Sequence, residues 1–509
     1  VSFAELAERS RRLAAGLADR GIGAGDRVAV WLPNVPAWLE LLFACARLRA
    51  IAVAVNTRFR ASEVEDIVGR SGAKLLVLWP GFKDIDFLGM LGEIDGAALS
   101  ALETVVLYAE GEGTSIGDPL GGRRTVSYDD LADSAPMVAV GAKPDAGCII
   151  YTTSGTTSKP KFVCHSQAGL VRHANAVARA FGYDAEDAVL LQALPLCGTF
   201  GMSQALAGLA GRRPMVLMRS FEAKQAAALV RDKRVTHMNG SDEMYLRMLE
   251  ARPETRPFPS LRKCGFAAFS SDPAELVALG DKRGVPLVGL YGMSEVQALF
   301  SARPVDASAE VRMCGGGVPV SSEVEIRARD PQTGEILAHG ERGEIELRGP
   351  SMMKEYFGNS KATHEAFTKD GFLKSGDLGF TEEGGGFTFL DRMGDVLRLG
   401  GYLVAPVEIA AYLEDHEGVA SAQVVGFDSA SSTRGARGTR AVAFVIPTPD
   451  MEFSESALTA YCVRGMASFK VPARIFAVDE YPVTQSANGV KIQRGKLREM
   501  AKSRIAADE

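Results

Sequence analysis

Residues Tyr151 to Lys161 read YTTSGTTSKPK. Thr152, Thr153, Ser154, Thr156, Thr157 and Ser158 supply hydroxyls around Gly155, and Lys159 and Lys161 add positive charge. Hydroxyl and backbone N–H donors packed beside cations suit a polyphosphate. The run Gly147-Cys148-Ile149-Ile150 just before the loop reads as a buried strand. Beyond it, Leu170, Val171, Ala174, Val177, Ala178 and Phe181 recur at helical spacing, with Ser166 as N-cap and Gly182 as stop. The expectation is therefore strand, loop, helix. The competing reading is a Ser/Thr-rich surface turn, because short phosphate-like loops arise easily by chance. No Gly-Lys-Ser/Thr follows the first glycine at the Walker A distance, which disfavours an ordinary P-loop ATPase.

The elements that must position this loop belong to a chain of 509 residues, 46% hydrophobic and 24% charged. That size implies more than one domain and a full core. With 57 Lys plus Arg against 63 Asp plus Glu, the formal charge is 57 − 63 = −6. Mild acidity without a long basic run argues against nucleic-acid binding. The seven scattered cysteines form no C-x-x-C pair, as expected of a reduced, cytoplasmic protein. Ser2 and Glu5 make a capping box, so the chain opens inside a helix without an initiator Met, and further N-terminal residues are expected. The apolar stretch from Val35 to Val55 is broken by Glu40, Arg47 and Arg49 and is too interrupted for a membrane span.

Apolar runs such as Arg27–Leu32 and Lys74–Leu78 alternate with helical patterns over the first two-thirds, which points to an α/β class. Between Val311 and Leu390 short strands with Gly turns take over, and Gly384-Gly385-Gly386 looks like a hairpin tip. Past Asp391, helices are expected at Pro406–Leu413 and Glu455–Met466, the latter capped by Ser454. Strands are expected at Ala422–Phe427 and Ala441–Ile446, and an exposed loop at Ser429–Gly438.

Four further clusters continue the nucleotide theme: Tyr291-Gly292-Met293-Ser294-Glu295, Ser375-Gly376-Asp377-Leu378, Asp391-Arg392-Met393-Gly394-Asp395 with Gly400-Gly401, and Asn488-Gly489-Val490-Lys491. In this order and at these separations the chain resembles, over essentially its whole length, the adenylate-forming enzymes. These are the acyl- and aryl-CoA synthetases, peptide-synthetase adenylation domains and beetle luciferases. The resemblance implies an α/β fold with a large multi-subdomain N-terminal domain, residues 1–393, comprising α/β layers and a small β-rich subdomain. A small mobile α+β C-terminal domain, residues 395–509, would hinge near Gly394. A carboxylate would attack the α-phosphate of ATP, and coenzyme A would then displace AMP.

The chemistry accounts for the residue types. Attack by a weak nucleophile on an anionic phosphate asks mainly for positioning and charge neutralisation. On this resemblance Thr153, Ser154, Gly155, Thr156, Thr157 and Lys161 would hold the β- and γ-phosphates. Glu295 would offer Mg²⁺ a hard oxygen, against the alternative of a surface carboxylate. Tyr291 with Gly292 would face adenine, unless Tyr291 is simply a packed core aromatic, and Ser294 would bind a phosphate oxygen. Asp377 would accept from the ribose hydroxyls with Arg392 assisting, the alternative being an inter-strand salt bridge. Lys491, charged at neutral pH, would be the catalytic cation of the first step; an exposed solvated lysine is its rival. Gly400 and Gly401 would let backbone approach the thiol arm of coenzyme A, though paired glycines also mark ordinary turns.

The chain departs from the family pattern in places. Ser158 and Phe162 replace loop glycines, so any positive φ there becomes harder, more so for Phe162. Gly198 removes bulk after Pro195-Leu196-Cys197, and Gly394 stands at a hinge often held by Asp or Lys. His165 and His237 fall in segments that would border the acid pocket, where isolated histidines are more often structural than chemical. That pocket would be formed by Gly198, Thr199, Met238, Asn239, Gly240, Phe266, Gly289, Leu290, Met293 and Val296. Mostly apolar, it suits a fatty or aromatic acid. The partners implied are a small carboxylic acid, ATP and coenzyme A, with the oligomeric state open, a homodimer included. Loading of a separate carrier protein, a non-catalytic nucleotide-binding homologue and a luciferase-like oxygenase remain alternatives at this point, because fold alone does not decide function.

Overall fold

The computed structural model describes residues 1–110, 120, 122–139, 141–153, 160–268, 272–393, 395–399, 402–429, 438–466, 470–486 and 489–508. Two compact units interleave along the chain: the first is built mainly from Val1–Val324 and Arg348–Phe367, the second mainly from Glu325–Leu347, Thr368–Ser486 and Val490–Glu509.

Seven strands open the first unit: β1 (Arg27–Trp31), β2 (Ile51–Ala54), β3 (Leu75–Leu78), β4 (Thr104–Leu107), β5 (Arg124–Ser127), β6 (Gly147–Thr152) and β7 (Phe162–Ser166). β1 to β6 run parallel in the order β6-β2-β1-β3-β4-β5, and β7 joins β6 antiparallel. Successive residues of β1 feed different cores: Val28 and Val30 pack with Trp38 and Tyr128, Ala29 and Trp31 with Phe87 and Ile150. Burial on both faces is why these strands read as continuous apolar runs. The stretch from Val35 to Val55 resolves into the helix Pro36–Leu48 and strand β2, separated by Arg49 in the left-handed region at φ 59°.

A second group contributes β8 (Leu190–Gln192), β9 (Met215–Leu217), β10 (His237–Ser241), β11 (Lys263–Ala267), β12 (Leu287–Met293), β13 (Gln297–Ala302) and β14 (Gly316–Pro319), in the order β14-β13-β12-β11-β10-β8-β9. From β12 to β9 the pairing is parallel, whereas β13 and β14 add antiparallel. Met238, Phe266, Leu287 and Leu290 share one core here with Tyr183 and Tyr245.

In the second unit, β15 (Glu325–Arg329), β16 (Gly343–Arg348), β18 (Leu373–Thr381) and β19 (Phe387–Arg392) are neighbours in that order; the two-residue β17 (Glu355–Tyr356) between them in sequence belongs to the first unit, on the free side of β7. Gly384 and Gly385, both at φ 87°, turn the β18–β19 hairpin. Then follow β20 (Leu397–Leu399) paired with β21 (Tyr402–Val404), a three-stranded sheet of β22 (Val419–Ser429), β23 (Gly438–Pro447) and β24 (Arg474–Ala477), and β25 (Val483–Ser486) paired with β26 (Gly489–Ile492). Helices Pro406–Glu414, Glu455–Gly465 and Arg494–Asp508 complete an α+β arrangement. The loop expected at Ser429–Gly438 lies, apart from its two end residues, outside the described residues. Among the described residues no helix is long and apolar enough to cross a membrane.

The caps follow the sequence signals. Ser2 and Glu5 close a reciprocal capping box, Ser166 Oγ accepts from the Gly169 N–H at 3.1 Å, and Gly182 ends the same helix at φ 73°. At Gly289 in β12 an added Cβ would stand 2.2 Å from the Cys314 carbonyl oxygen, a backbone neighbour that cannot swing away. Gly289→Ala is expected to destabilise by about 1–3 kcal/mol through overpacking. Gly495→Ala, in the helix Arg494–Asp508 with nothing within 4 Å, is expected to add about 0.5–1 kcal/mol. Denaturant unfolding of the two variants checks both signs.

Candidate functional site

The hydroxyl loop is the tip of a hairpin. β6 and β7 pair antiparallel from Ile149↔His165 to Thr152↔Phe162. The Thr153 N–H donates to the Lys161 carbonyl at 3.0 Å, and the Lys161 N–H donates to Thr153 Oγ1 at 3.1 Å. Both ends of the loop are thus pinned, while Ser154, Gly155, Thr156 and Thr157 lie outside the described residues. The expected strand–loop–helix order is corrected here. A second strand intervenes, and the helix Gln167–Phe181 begins beyond Ser166, which pairs with Gly147 at the other end of the hairpin. Phe162 is at home in that strand: it is buried in the core with Ile150 and Cys164, it is not at positive φ, and the Arg70 guanidinium lies 4.2 Å from its ring centre.

Glu295 sits in a single 3₁₀ turn, Ser294–Val296, between β12 and β13. The residue is 8% exposed, and its Oε1 accepts from the Tyr356 hydroxyl at 2.8 Å. Its carbonyl accepts from the Met353 N–H at 2.6 Å. The chain just after it is strained, with Gln297 at φ 65°, ψ 154° and Leu299 at φ 61°. Three buried side chains hold that segment. His165 Nε2 meets the Ser294 carbonyl at 2.7 Å, His173 Nε2 meets the Ala298 carbonyl at 2.7 Å, and Gln297 Nε2 donates to the Gly169 carbonyl at 3.1 Å. Burial pushes both imidazoles down to about 4, so at neutral pH they are uncharged. A carbonyl only accepts, which places the proton on Nε2. His165 is therefore a strut under the motif. Sequence reasoning singled it out without this role and overlooked His173 and Gln297.

Around this turn, Thr199 Oγ1 lies 3.4 Å from Ser294 Oγ, and Gly292 presses on Ala298, whose Cα would be 2.6 Å from an added Cβ. Tyr291 is 7% exposed, its hydroxyl 3.7 Å from Met293 Sδ and its ring edge-on to Phe300 at 6.3 Å. Lys161 Nζ stands 4.6 Å from the Tyr356 ring centre. Lys161 and Glu295, 134 residues apart by number (295 − 161), thus meet on two sides of one tyrosine. The buried Glu295 carboxylate is a hard oxygen donor fixed in place, which suits Mg²⁺.

The residues expected to wall the acid pocket occupy β10, β11, β12 and the start of the helix Thr199–Ala210, for which Gly198 is the N-cap. Gly240, Phe266 and Gly289 form one row across three parallel strands. Met238 and Val296 are fully buried, and Phe266, Leu290 and Asn239 nearly so. Asn239 Nδ2 is committed to the Tyr183 hydroxyl at 2.7 Å and Gln204 Oε1 at 2.8 Å. His237 is occupied too, with Nδ1 2.7 Å from Thr236 Oγ1.

In the second unit Asp377 and Arg392 are register partners across β18 and β19, with Asp377 Oδ1 3.0 Å from Arg392 Nε. The inter-strand ion pair is formed, and Asp377 is 1% exposed. From far along the chain, Arg494 bridges Asp391 at 3.0 Å and Asp395 at 3.2 Å, and Arg498 reaches Asp395 at 2.6 Å. Burial raises the Asp391 carboxyl above its ordinary range, and Arg494 opposes the shift. Gly394, Gly400, Gly401 and the Lys491 side chain lie outside the described residues.

Compared with known proteins, residues 1–357 match the AMP-binding enzyme family and residues 408–488 its C-terminal domain. The chain belongs to the AMP-binding enzymes. A feruloyl-CoA synthase from an Amycolatopsis species is 31% identical over 98% of this chain and 93% of that protein. The mitochondrial medium-chain acyl-CoA ligase ACSF2 of Danio rerio is 29% identical over 99% and 84%. Among solved structures, ATP-bound MatB from Rhodopseudomonas palustris superposes with a TM-score of 0.82 at 25% identity, covering 99% of this chain and 94% of that one. The layered α/β architecture with a smaller C-terminal domain is that of other AMP-binding enzymes.

The buried histidines are expected to make this AMP-binding enzyme less stable in acid. His173 has an ordinary value of 6.5 when unfolded and about 4 when folded, so the folded state binds fewer protons between those values. Its contribution is complete above about pH 6.5 and is lost as pH falls towards 4. Between pH 7 and 5.5 the loss is about 1 kcal/mol. His173→Gln, which keeps a donor for the Ala298 carbonyl, is expected to shrink the stability difference between those two pH values by about that amount, read by denaturant titration.

Proposed function

We propose that the chain is an AMP-forming acid–thiol ligase that activates a fatty or aromatic carboxylic acid with ATP and transfers the acyl group to coenzyme A. The observation that carries this reading is the meeting of Lys161, at the end of the hydroxyl loop, with Glu295 across Tyr356. A phosphate-facing cation and a metal-binding carboxylate belong together where a nucleotide triphosphate is held.

In the first half-reaction a carboxylate oxygen of the acid attacks the α-phosphorus, and pyrophosphate leaves with the bonding pair. Lys161 and the loop hydroxyls neutralise and orient the β- and γ-phosphates, and Ser294 offers its hydroxyl to a phosphate oxygen. Glu295 would hold Mg²⁺, which when bound supplies further charge neutralisation. Tyr291 with Gly292 lies against the base, and Asp377 with Arg392 serves the ribose. Lys491 meets the charge that builds between acid and α-phosphate. In the second half-reaction the thiolate of coenzyme A attacks the acyl carbon and AMP departs, with Gly400 and Gly401 giving the thiol arm a close backbone surface.

The acid would lie along the row of Gly240, Phe266 and Gly289, with Met238, Leu290, Met293 and Val296 as apolar surroundings and Gly198 and Thr199 at the helix start. An apolar acid is favoured because none of these residues is charged and the Asn239 amide donors are already used.

A panel of carboxylic acids assayed for AMP release, with mass detection of the thioester, tests the reading. AMP release without a thioester from any acid would move the assignment to a carrier-loading ligase, and ATP binding without acid-dependent pyrophosphate to a non-catalytic homologue. Lys491→Ala is expected to abolish acid-dependent pyrophosphate release while sparing thioester formation from preformed acyl-adenylate. Undiminished pyrophosphate release by that variant would remove Lys491 from the first step.

A further inference from the structure

We propose that Tyr356 is a positioning residue that serves two groups at once, its ring seating the Lys161 ammonium and its hydroxyl fixing the Glu295 carboxylate; this rests on Glu295 being the magnesium carboxylate and Lys161 a phosphate-binding cation. Nothing in the nucleotide motifs contains Tyr356. It is brought in by β17, which pairs with β7 at Glu355↔Cys164 and Tyr356↔Val163. The Lys354 N–H donates to the Cys164 carbonyl at 2.8 Å, the Phe357 N–H to the Phe162 carbonyl at 2.7 Å, and the Tyr356 N–H to Thr363 Oγ1 at 3.0 Å. The backbone on either side of the tyrosine is therefore immobilised against the strand that leaves the hydroxyl loop.

Tyr356 is 5% exposed, and its side chain is used at both its polar and its π surfaces. The ring lies 4.6 Å from Lys161 Nζ, within cation–π range. At the other end the hydroxyl donates to Glu295 Oε1, among the described residues the only hydrogen bond to that carboxylate. A hydroxyl donating to an ionised carboxylate is the stronger kind of hydrogen bond and fixes the acceptor's torsion as well as its position. The same segment also takes hold of the Glu295 main chain through the Met353 N–H. Removing the hydroxyl frees the carboxylate but leaves the ring beneath Lys161; removing the ring frees both.

That separation makes the test. The full chain, without acid, is titrated with ATP by calorimetry in the absence and presence of Mn²⁺, with thermal melting to confirm folding. Tyr356→Phe is expected to bind metal-free ATP within about twofold of the unaltered chain and to lose about tenfold of the Mn²⁺ enhancement, the scale of one charge-assisted hydrogen bond. Tyr356→Leu is expected to lose that enhancement and to weaken metal-free ATP binding a further threefold or so, the scale of one cation–π contact. Glu295→Gln is the reference and should lose the enhancement. Full Mn²⁺ enhancement in Tyr356→Phe beside its loss in Glu295→Gln overturns the proposal alone. Equal weakening of Tyr356→Phe with and without metal also overturns it, because the hydroxyl would not then be acting through the carboxylate. Retained enhancement in Glu295→Gln overturns the metal reading of Glu295, and the proposal with it. Should Tyr356→Leu fail to fold, the Phe variant decides by itself.

Discussion

The pairing of β17 with β7 is the constraint on which the first unit's site depends. Two residues of strand are few, yet the N–H groups that flank them, of Lys354 and Phe357, both bond to the strand that begins where the hydroxyl loop ends. The loop's exit, the tyrosine and the carbonyl of Glu295 are thereby tied by backbone bonds, whose directions tolerate little drift. Side chains placed on such a frame lose little entropy on meeting a ligand, since their anchoring is complete before the ligand arrives.

A second constraint works against the first and is held in check. Gln297 and Leu299 adopt backbone conformations that non-glycine residues avoid, at an expense of order 1–3 kcal/mol each. They persist because the turn is gripped from the helix Gln167–Phe181, through the His173 imidazole on Ala298 and the Gly169 carbonyl on the Gln297 amide. Strain next to the Glu295 turn, stabilised by buried neutral imidazoles, links local geometry to pH. The helix that the sequence reading treated as the far side of a phosphate loop is in fact the brace for the other motif.

Much of the fold was legible because its signals are local. The Ser2–Glu5 box, the Ser166 cap, the Gly182 stop and the Gly384-Gly385 turn each depend on a few adjacent residues, and each is formed. Strand β7 was hidden because Phe162-Val163-Cys164-His165-Ser166 is short and sits between a polar loop and a helix cap. β2 vanished inside the run from Val35 to Val55, where a helix and a strand buried on both faces share one composition. The candidate site divides in the same way. Glu295, Asp377 and Lys161 carry chemistry in their own types and stand in recognisable motifs. Tyr356 has no such neighbourhood: its place beside Lys161 and Glu295 depends on a pairing between segments nearly 200 residues apart, which no window of sequence displays. Asp377 and Arg392 show the converse: the inter-strand ion pair offered as the alternative for them is formed between register partners.

Arg494 carries a mechanical implication for the smaller unit. Asp391 and Asp395 stand on opposite sides of Gly394, and one guanidinium spans them. Any torsion in the three residues between those carboxylates alters the gap that the guanidinium must bridge. Lys491 is only three residues from Arg494, so strand β26 leads directly into the residue that makes this bridge. Raising the ionic strength is expected to loosen this knot of two like-signed acids that Arg494 and Arg498 draw together.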